Sequence, residues 1–243
     1  MNLAQFFWKT LSSNGDRILF ERLGASGRIE WKQTRTALLT EASILMAALR
    51  HAGIERGDRV ALSVGKSDGL AAAHVATLGV GAVVVPLNPA LSTAETAAVL
   101  DQAGPRLAIT DGAIAASTPE LGEHVRGAWW VASGYDEAVP GQFSLSEVLA
   151  GHTSGQEPCD SVDDEVALML FTSGTTGTPK GVGLTHRNVA SNLEALLVDS
   201  WEMTENDRLL HVLPPHHLHG LALGLYGTLY TAGNAVLLDR FDA

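Results

Sequence analysis

A short segment of this chain combines the residue types that can hold a polyphosphate. It spans positions 170–186 and reads LFTSGTTGTPKGVGLTH. Glycines let backbone N–H groups approach an anion closely, hydroxyl side chains add short donors, and Lys180 adds a mobile positive charge. The alternative is a Gly/Thr-rich surface turn whose threonines bond only within the loop, but the lysine at its end favours phosphate binding. The residues predicted to contact phosphate are Thr172, Ser173, Gly174, Thr175, Thr176, Gly177, Thr178 and Lys180.

The residues on either side of this loop predict one strand before it and one after it. The run 166–171 is continuously apolar, as in a buried strand, and 182–185 alternates as a strand does. The P-loop pattern G-x-x-x-x-G-K-[ST] instead opens a helix, so that the helix N-terminus faces the phosphates. Here Lys180 lies between Pro179 and Gly181. The sequence therefore predicts a strand–loop–strand arrangement and not a P-loop.

A dense group of histidines follows further along the chain, at positions 211, 216, 217 and 219. Imidazole is a common zinc ligand, but this group contains no cysteine and no H-E-x-x-H motif. We therefore expect no metal site here. His219 is compatible with a packing role.

Strands and helices alternate along the chain with the spacing of βαβ units. This pattern predicts an α/β fold with mostly parallel sheets flanked by helices. Ser67 is expected to cap one helix, and Ser92 with Glu95 to form a capping box on another. The polar stretch Ala150–Asp164 predicts a surface linker and not a domain boundary. Helices are predicted over 3–11, 34–51, 67–78, 92–103, 186–199 and 217–231, and strands over 18–23, 28–31, 60–64, 82–85, 107–110, 129–132, 208–213 and 235–238.

Bulk composition excludes several classes of protein. The formal charge of −11 argues against a nucleic-acid-binding surface, which needs clustered Lys and Arg. The single cysteine, Cys159, excludes an intrachain disulfide framework and fits a reducing cytoplasm. The N-terminus lacks the features of a signal peptide, and glycine, proline or asparagine interrupts the uncharged stretches 69–94 and 221–238. We expect a cytoplasmic protein with no membrane-spanning segment, and the oligomeric state stays open.

Several motifs together resemble one family. TSGTTGTPKGV followed by LTHRN is similar to the phosphate-binding signature of the adenylate-forming (AMP-binding) superfamily, which includes acyl-CoA synthetases and the adenylation domains of peptide synthetases. GDRVALSVGKS, GAVVVPLNP and HVLPPHHLHGL resemble further parts of that family, and the similarity runs from about Phe6 to the last residue. Lys66-Ser67 and the H-x-H-G-L element resemble the malonyl-CoA synthetase branch, although Lys66 fits a solvated strand-end charge equally well. Gly183 departs from the family pattern, which has a larger apolar residue there.

The resemblance implies a function and a set of site residues. It implies an ATP-dependent carboxylate–CoA ligase that uses ATP, Mg²⁺, CoA and a small carboxylic acid, with malonate or a similar short acid as the substrate. It assigns catalytic roles to Lys180 and His217, and an acyl-substrate pocket to His217, His219 and Gly220. Two alternatives are a non-catalytic nucleotide-binding fragment and a peptide-synthetase adenylation domain, the second disfavoured by HHLHG.

The resemblance also bears on domain organisation. It implies that residues 1–243 form part of the family's N-terminal domain, without the C-terminal domain. On this basis the chain is expected to be truncated and inactive on its own.

Overall fold

Two mostly parallel β-sheets organise the chain. The computed structural model describes residues 2–13, 15–112, 115, 119–133, 142–172 and 179–238. The strands are β1 (Ile18–Leu23), β2 (Ile29–Thr34), β3 (Arg59–Ser63), β4 (Val83–Pro86), β5 (Leu107–Asp111), β6 (Ala128–Ser133), β7 (Gln142–Ser144), β8 (Val166–Thr172), β9 (Lys180–Thr185), β10 (Arg208–His211) and β11 (Asn234–Leu237). The α-helices are α1 (Leu3–Ser13), α2 (Arg35–His51), α3 (Asp68–Gly79), α4 (Thr93–Ala103), α5 (Leu145–Ala150), α6 (His186–Leu193) and α7 (Gly227–Thr231).

The larger sheet has seven strands in the order β7-β6-β5-β3-β4-β8-β9. All of its neighbouring pairs are parallel except the hairpin pair β8–β9. The smaller sheet has the order β10-β11-β1-β2, with β1 and β2 antiparallel and the other pairs parallel. The predicted α/β class with mostly parallel sheets is confirmed, and β8 continues the sheet that contains β7, so the 150–164 segment does not divide domains.

Helices cover both faces of the larger sheet. Along β3, Val60 and Leu62 belong to a core that includes α1, α2 and α3, whereas Ala61 belongs to a separate core with Val99 of α4. Successive side chains of a strand point to opposite faces, so a strand covered on both sides is apolar throughout. This double burial explains why the strand regions appear in the sequence as continuous apolar runs.

Two of the predicted helices contain long π-helical segments. The predicted 186–199 helix continues from α6 into the π-helix Glu194–Ser200, and the predicted 217–231 helix consists mainly of the π-helix Gly220–Tyr226 followed by α7. The Ser92–Glu95 capping box is present on α4. Ser67 occupies the predicted N-cap position of α3, but its side chain makes no capping hydrogen bond to the helix.

The part of the chain that the structure describes contains no candidate for a membrane-spanning helix. No helix there is long and apolar enough to cross a membrane.

Candidate functional site

The predicted phosphate-binding loop joins two adjacent antiparallel strands. Thr172, the last residue of β8, lies directly opposite Lys180, the first residue of β9. Residues 173–178, which include the predicted Ser173, Gly174, Thr175, Thr176, Gly177 and Thr178, lie outside the described residues. Both Thr172 and Lys180 are exposed to solvent. The two predicted strands are confirmed, and the P-loop arrangement is excluded, because Lys180 begins a strand and not a helix.

Thr172 and Lys180 of this hairpin lie at the edge of the sheet where a ligand is expected to bind. β8 runs parallel to β4, and β4 runs parallel to β3, so their carboxyl ends share one edge. β3 and β5 are neighbours in the sheet. From β3 the chain continues to β4 on one side of this pair, and from β5 it continues to β6 on the other side. Open α/β sheets bind ligands at such switch points, outside the carboxyl ends of the strands.

A cavity of about 300 Å³ lies at this switch point. Its walls come from the carboxyl ends of β3, β4 and β5, from α3, and from the turn that follows β10. The apolar part of the lining includes Leu62, Leu70 and Leu87, and the polar part includes Lys66, His74, Asp111 and His216. The cavity therefore joins parts of the chain that are up to 154 positions apart, on the basis of its outermost lining residues.

Lys66 connects the two sheets beside this cavity. It is only 7% exposed, and its Nζ donates to the carbonyl oxygens of His211 at 3.2 Å and Leu238 at 2.5 Å. These two carbonyls lie at the carboxyl ends of β10 and β11. The solvated strand-end interpretation of Lys66 is therefore wrong. The ammonium group instead donates hydrogen bonds to strand-end carbonyl oxygens, where the carboxyl edges of the two sheets meet.

The turn after β10 presents its histidines in two directions. His216 lines the cavity, and burial, together with the neighbouring His217, lowers its pKa to about 4. The predicted site residues His217 and His219 are exposed, and the ring of His217 lies 4.4 Å from that of His216, measured between centroids. Neither exposed histidine lines the cavity. Among the histidines of this turn, the structure thus places His216, and not the predicted His217 and His219, in the lining of the cavity.

Gly220, the third residue predicted for the acyl pocket, has a packing role that the structure explains. A Cβ atom at this position would overlap the carbonyl oxygen of Pro214. Gly224, one turn later, lies against the ring of His211 and likewise leaves no space for a side chain. These two glycines allow the π-helix to pack directly on the turn that carries His216.

Two further histidines near the site are buried in uncharged form. Burial lowers the pKa of His74 to about 3, and its Nδ1 lies 3.0 Å from the hydroxyl of Tyr226. Burial, followed by the charge of Lys66, lowers the pKa of His211 to about 4. The sequence analysis did not identify His74 or Asp111 as site residues. Asp111 ends the parallel strand β5, and His74 lies on α3, the helix after β3. Their positions near the carboxyl ends of predicted parallel strands could have identified them as site residues.

Metal binding finds little support from the protein side chains. Across the described ranges, no group of three or more His, Cys, Asp or Glu side chains is arranged to hold an ion. Mg²⁺ commonly keeps several waters and binds through substrate phosphates and one or two carboxylates. The described residues do not form a magnesium cage of their own.

Comparison with curated proteins identifies several CoA ligases as relatives. The chain is 30% identical to the medium-chain fatty-acid–CoA ligase of Escherichia coli (strain K12) over 248 residues, covering 99% of this chain and 42% of that enzyme. It is 48% identical to the mitochondrial malonate–CoA ligase of Mus musculus over 80 residues, covering 33% of this chain and 14% of that enzyme. The chain thus spans less than half the length of these relatives.

Comparison with solved structures gives the same result at the level of the fold. ATP-bound MatB from Rhodopseudomonas palustris superposes on the whole chain with a TM-score of 0.83 and 31% identity, and the chain covers 46% of it. An acyl-CoA synthetase from Brucella canis gives a TM-score of 0.88 at 21% identity, which shows a shared fold. The profile of the family described as "AMP-binding enzyme" matches residues 8–243. The resemblance seen in the sequence is thereby confirmed, and the chain belongs to the AMP-binding enzyme family.

Proposed function

We propose that this chain provides the nucleotide- and acid-binding part of an ATP-dependent carboxylate–CoA ligase. The observation that carries the proposal is the common edge of the β8–β9 hairpin and the cavity between β3, β4 and β5. A donor-rich loop at this edge can hold the phosphates of ATP, and a neighbouring cavity can receive a second substrate. The relatives support the reaction class, because their names describe CoA ligases of carboxylic acids.

In the proposed reaction, a carboxylate oxygen of the acid attacks the α-phosphorus of ATP. An acyl-adenylate forms, and pyrophosphate leaves. The thiolate sulfur of CoA then attacks the acyl carbon, and AMP leaves with the bonding electron pair. Neither step requires a nucleophile from the protein, so the chain contributes positioning and charge neutralisation. ATP, CoA and Mg²⁺ are proposed as the molecules this chemistry uses, with Mg²⁺ carried by the ATP phosphates.

Lys180 is the described residue best placed to neutralise phosphate charge. It is exposed at the mouth of the hairpin, and its partner across the strands, Thr172, offers a hydroxyl donor. Lysine acts as a mobile point charge toward phosphate, and it does not impose the planar fork of arginine. We assign it the catalytic role of stabilising the phosphate groups during adenylation.

The test is acid-dependent turnover by the protein that carries this chain. With ATP, Mg²⁺, CoA and a panel of acids, we expect release of pyrophosphate and AMP with loss of free thiol. Lys180→Ala is expected to slow pyrophosphate release by roughly 10²–10³-fold, the usual effect of removing one preorganised charge-stabilising group. Lys9→Ala, a surface lysine of α1, serves as the matched control. An equal rate for the Lys180 and Lys9 variants at saturating ATP would contradict the role of Lys180.

For the acid itself, we propose a short dicarboxylate such as malonate. Support comes from the 48% identity to a malonate–CoA ligase over 80 residues and from the exposed imidazoles of His217 and His219 on the turn that carries the cavity residue His216. A second carboxylate needs a cationic or donor-rich partner, because a buried unpaired charge costs several kcal/mol. Lys66 is already engaged with two backbone carbonyls, so the histidines are the better candidates.

Substrate preference tests the dicarboxylate proposal separately. We expect kcat/KM to be higher for malonate and methylmalonate than for butyrate or octanoate. His219→Leu is expected to shift the ratio of malonate to butyrate toward butyrate. A preference for octanoate in the unsubstituted protein would overturn the dicarboxylate proposal and leave the ligase proposal standing.

A further inference from the structure

A second cleft lies at the opposite edge of the larger sheet from the candidate site. It has a volume of about 300 Å³ and is formed where β3, β5 and β6 begin. The start of these strands is their amino end, whereas the candidate site lies at their carboxyl ends. Three arginines and one aspartate contribute to its lining, a net charge of +2, in a chain whose formal charge is −11. The lining residues with charged side chains are Asp58, Arg59, Arg106 and Arg126.

The three arginines differ in how many hydrogen bonds and ion pairs their guanidinium groups already make. Arg59 is committed to backbone carbonyls, with Nε 2.8 Å from Ala103 O and Nη2 3.0 Å from Gly104 O. It therefore caps the carboxyl end of α4. Among the described residues, the guanidinium group of Arg106 makes a single long ion pair, 3.7 Å from its Nε to Asp58 Oδ2. The backbone N–H of Arg126 donates to the Pro105 carbonyl oxygen at 2.9 Å, but within the ranges described above its guanidinium group takes part in no hydrogen bond or ion pair.

Glycines shape the space around the two available guanidinium groups. A Cβ atom at Gly104 would lie 2.9 Å from Nη2 of Arg126, and one at Gly53 would lie 3.4 Å from Nη2 of Arg106. A Cβ atom at Gly127 would overlap the carbonyl oxygen of Arg106. The missing side chains allow both guanidinium groups to lie close to the backbone at the rim of one cleft.

We propose that this cleft binds a small phosphate-bearing anion through Arg106 and Arg126. Arginine presents a planar set of donors that matches phosphate oxygens, and charge-assisted hydrogen bonds of this type are strong. Because Asp58 is the only carboxylate among the described lining residues, they leave most of the arginine charge uncompensated. The site is separate from the β8–β9 hairpin, so the inference goes beyond the ligase reaction.

Capping of helix ends is the alternative role for arginines at this edge, and it does not account for Arg126. α2 and α4 both end beside the cleft, and their last carbonyls attract cations. Arg59 fills that role for α4. Arg126 donates to no carbonyl of these helices among the residues placed by the structure, so its charge stays available to a ligand.

The experiment is a calorimetric titration of the full chain with inorganic pyrophosphate at low ionic strength, with inorganic phosphate as the second probe. Four proteins are compared: the unsubstituted chain, Arg126→Gln, Arg28→Gln and Lys180→Ala. Arg28→Gln removes the same charge from the exposed β1–β2 turn. Lys180→Ala removes the lysine of the β8–β9 hairpin and leaves the cleft intact.

We expect saturable pyrophosphate binding that persists in Arg28→Gln and Lys180→Ala and weakens by about tenfold or more in Arg126→Gln, as for the loss of one charge-assisted contact. Arg106→Gln is expected to weaken it similarly, which guards against a folding defect in a single variant. Binding that Lys180→Ala abolishes, or that both cleft variants leave unchanged while remaining folded by circular dichroism, would overturn the proposal. A preference for pyrophosphate over phosphate would indicate a polyphosphate or nucleotide ligand, and equal affinity would indicate a phosphate monoester; either supports the site.

Discussion

Lys66 illustrates how one buried charge can join two sheets. Its ammonium group donates to carbonyls at the ends of β10 and β11, although the lysine itself follows β3 in the other sheet. These carbonyls lie at strand ends, where further strand pairing does not satisfy them fully. The His211 carbonyl also accepts from the Leu238 N–H at 3.1 Å, so the ammonium group is its second donor. A charged donor is a strong partner for such groups, and its loss removes two charge-assisted hydrogen bonds.

Lys66→Met is expected to destabilise the fold while keeping the length of the side chain. Hydrogen bonds to charged groups contribute about 1.5–3 kcal/mol each, so we expect a loss of about 2–3 kcal/mol in the free energy of unfolding. Urea denaturation at pH 7.5 provides the measurement. Lys9→Met, on the exposed surface of α1, is the control and is expected to change stability by about 0.5 kcal/mol or less. Equal stability of the two variants would contradict a connecting role for Lys66.

At the scale of single elements, the π-helix Gly220–Tyr226 packs closely beside the site because two of its residues are glycines. π-helical segments are rare and often occur near functional sites. Here, Gly220 contacts the Pro214 carbonyl, and Gly224 contacts the His211 ring. The position of this helix therefore determines the position of the turn that carries His216 into the cavity.

Gly220→Ala is expected to disturb this packing. Overpacking a buried site costs about 1–3 kcal/mol, and the rigid backbone carbonyl of Pro214 favours the upper end of that range. Alanine regains ~1 kcal/mol of helix propensity, so we expect a net loss of about 2 kcal/mol in the free energy of unfolding.

Gly183→Ala is the matched control for that substitution. A Cβ atom at Gly183, on the edge strand β9, would lie 3.4 Å from the methyl groups of Val166, an ordinary contact distance. Its effect is expected to stay within about 0.5 kcal/mol. Chemical denaturation of both variants decides the matter, and a larger loss for Gly183→Ala than for Gly220→Ala would refute the packing argument.

At the scale of the whole molecule, buried uncharged histidines link stability to pH. Burial lowers the pKa of His74 to about 3, and burial is also the main cause that lowers the pKa values of His186 and His211 to about 4. Each of these groups binds a proton more readily in the unfolded chain than in the folded protein. Stability therefore rises with pH between the folded and unfolded pKa values, and it is lost as pH falls from about 6.5 toward 4.

We expect the free energy of unfolding to be clearly lower at pH 5 than at pH 7.5, with each such histidine adding a slope of up to about 1.4 kcal/mol per pH unit. Urea denaturation at several pH values measures this slope. His74→Gln removes one titrating group, so its loss of stability between pH 7.5 and pH 5 should be smaller than that of the unsubstituted chain. The difference between the two free energies of unfolding at pH 7.5 gives the packing cost of the substitution, so the pH dependence is compared relative to that value. A steeper dependence in His74→Gln would refute the assignment.

The sequence by itself determined the features that depend on neighbouring residues. The apolar run before Thr172 and the alternation after Lys180 predicted β8 and β9, and Ser92 with Glu95 predicted the cap of α4. These features arise from local backbone preferences and from side-chain periodicity, both of which are written in a few consecutive residues. The α/β fold class followed from the alternation of such strands and helices, whereas family membership was indicated by the resemblance of several motifs.

Only the tertiary structure decided which distant residues meet. The partners of Lys66 lie 145 and 172 positions away, and the cavity combines His74, Asp111 and His216. Periodicity shows that a residue faces inward, but it does not specify the strand or turn that it faces. His216 lines the cavity because the turn after β10 lies against the carboxyl ends of β3, β4 and β5, whose lining residues stand more than 100 positions earlier in the chain, and the histidine pattern does not contain that contact.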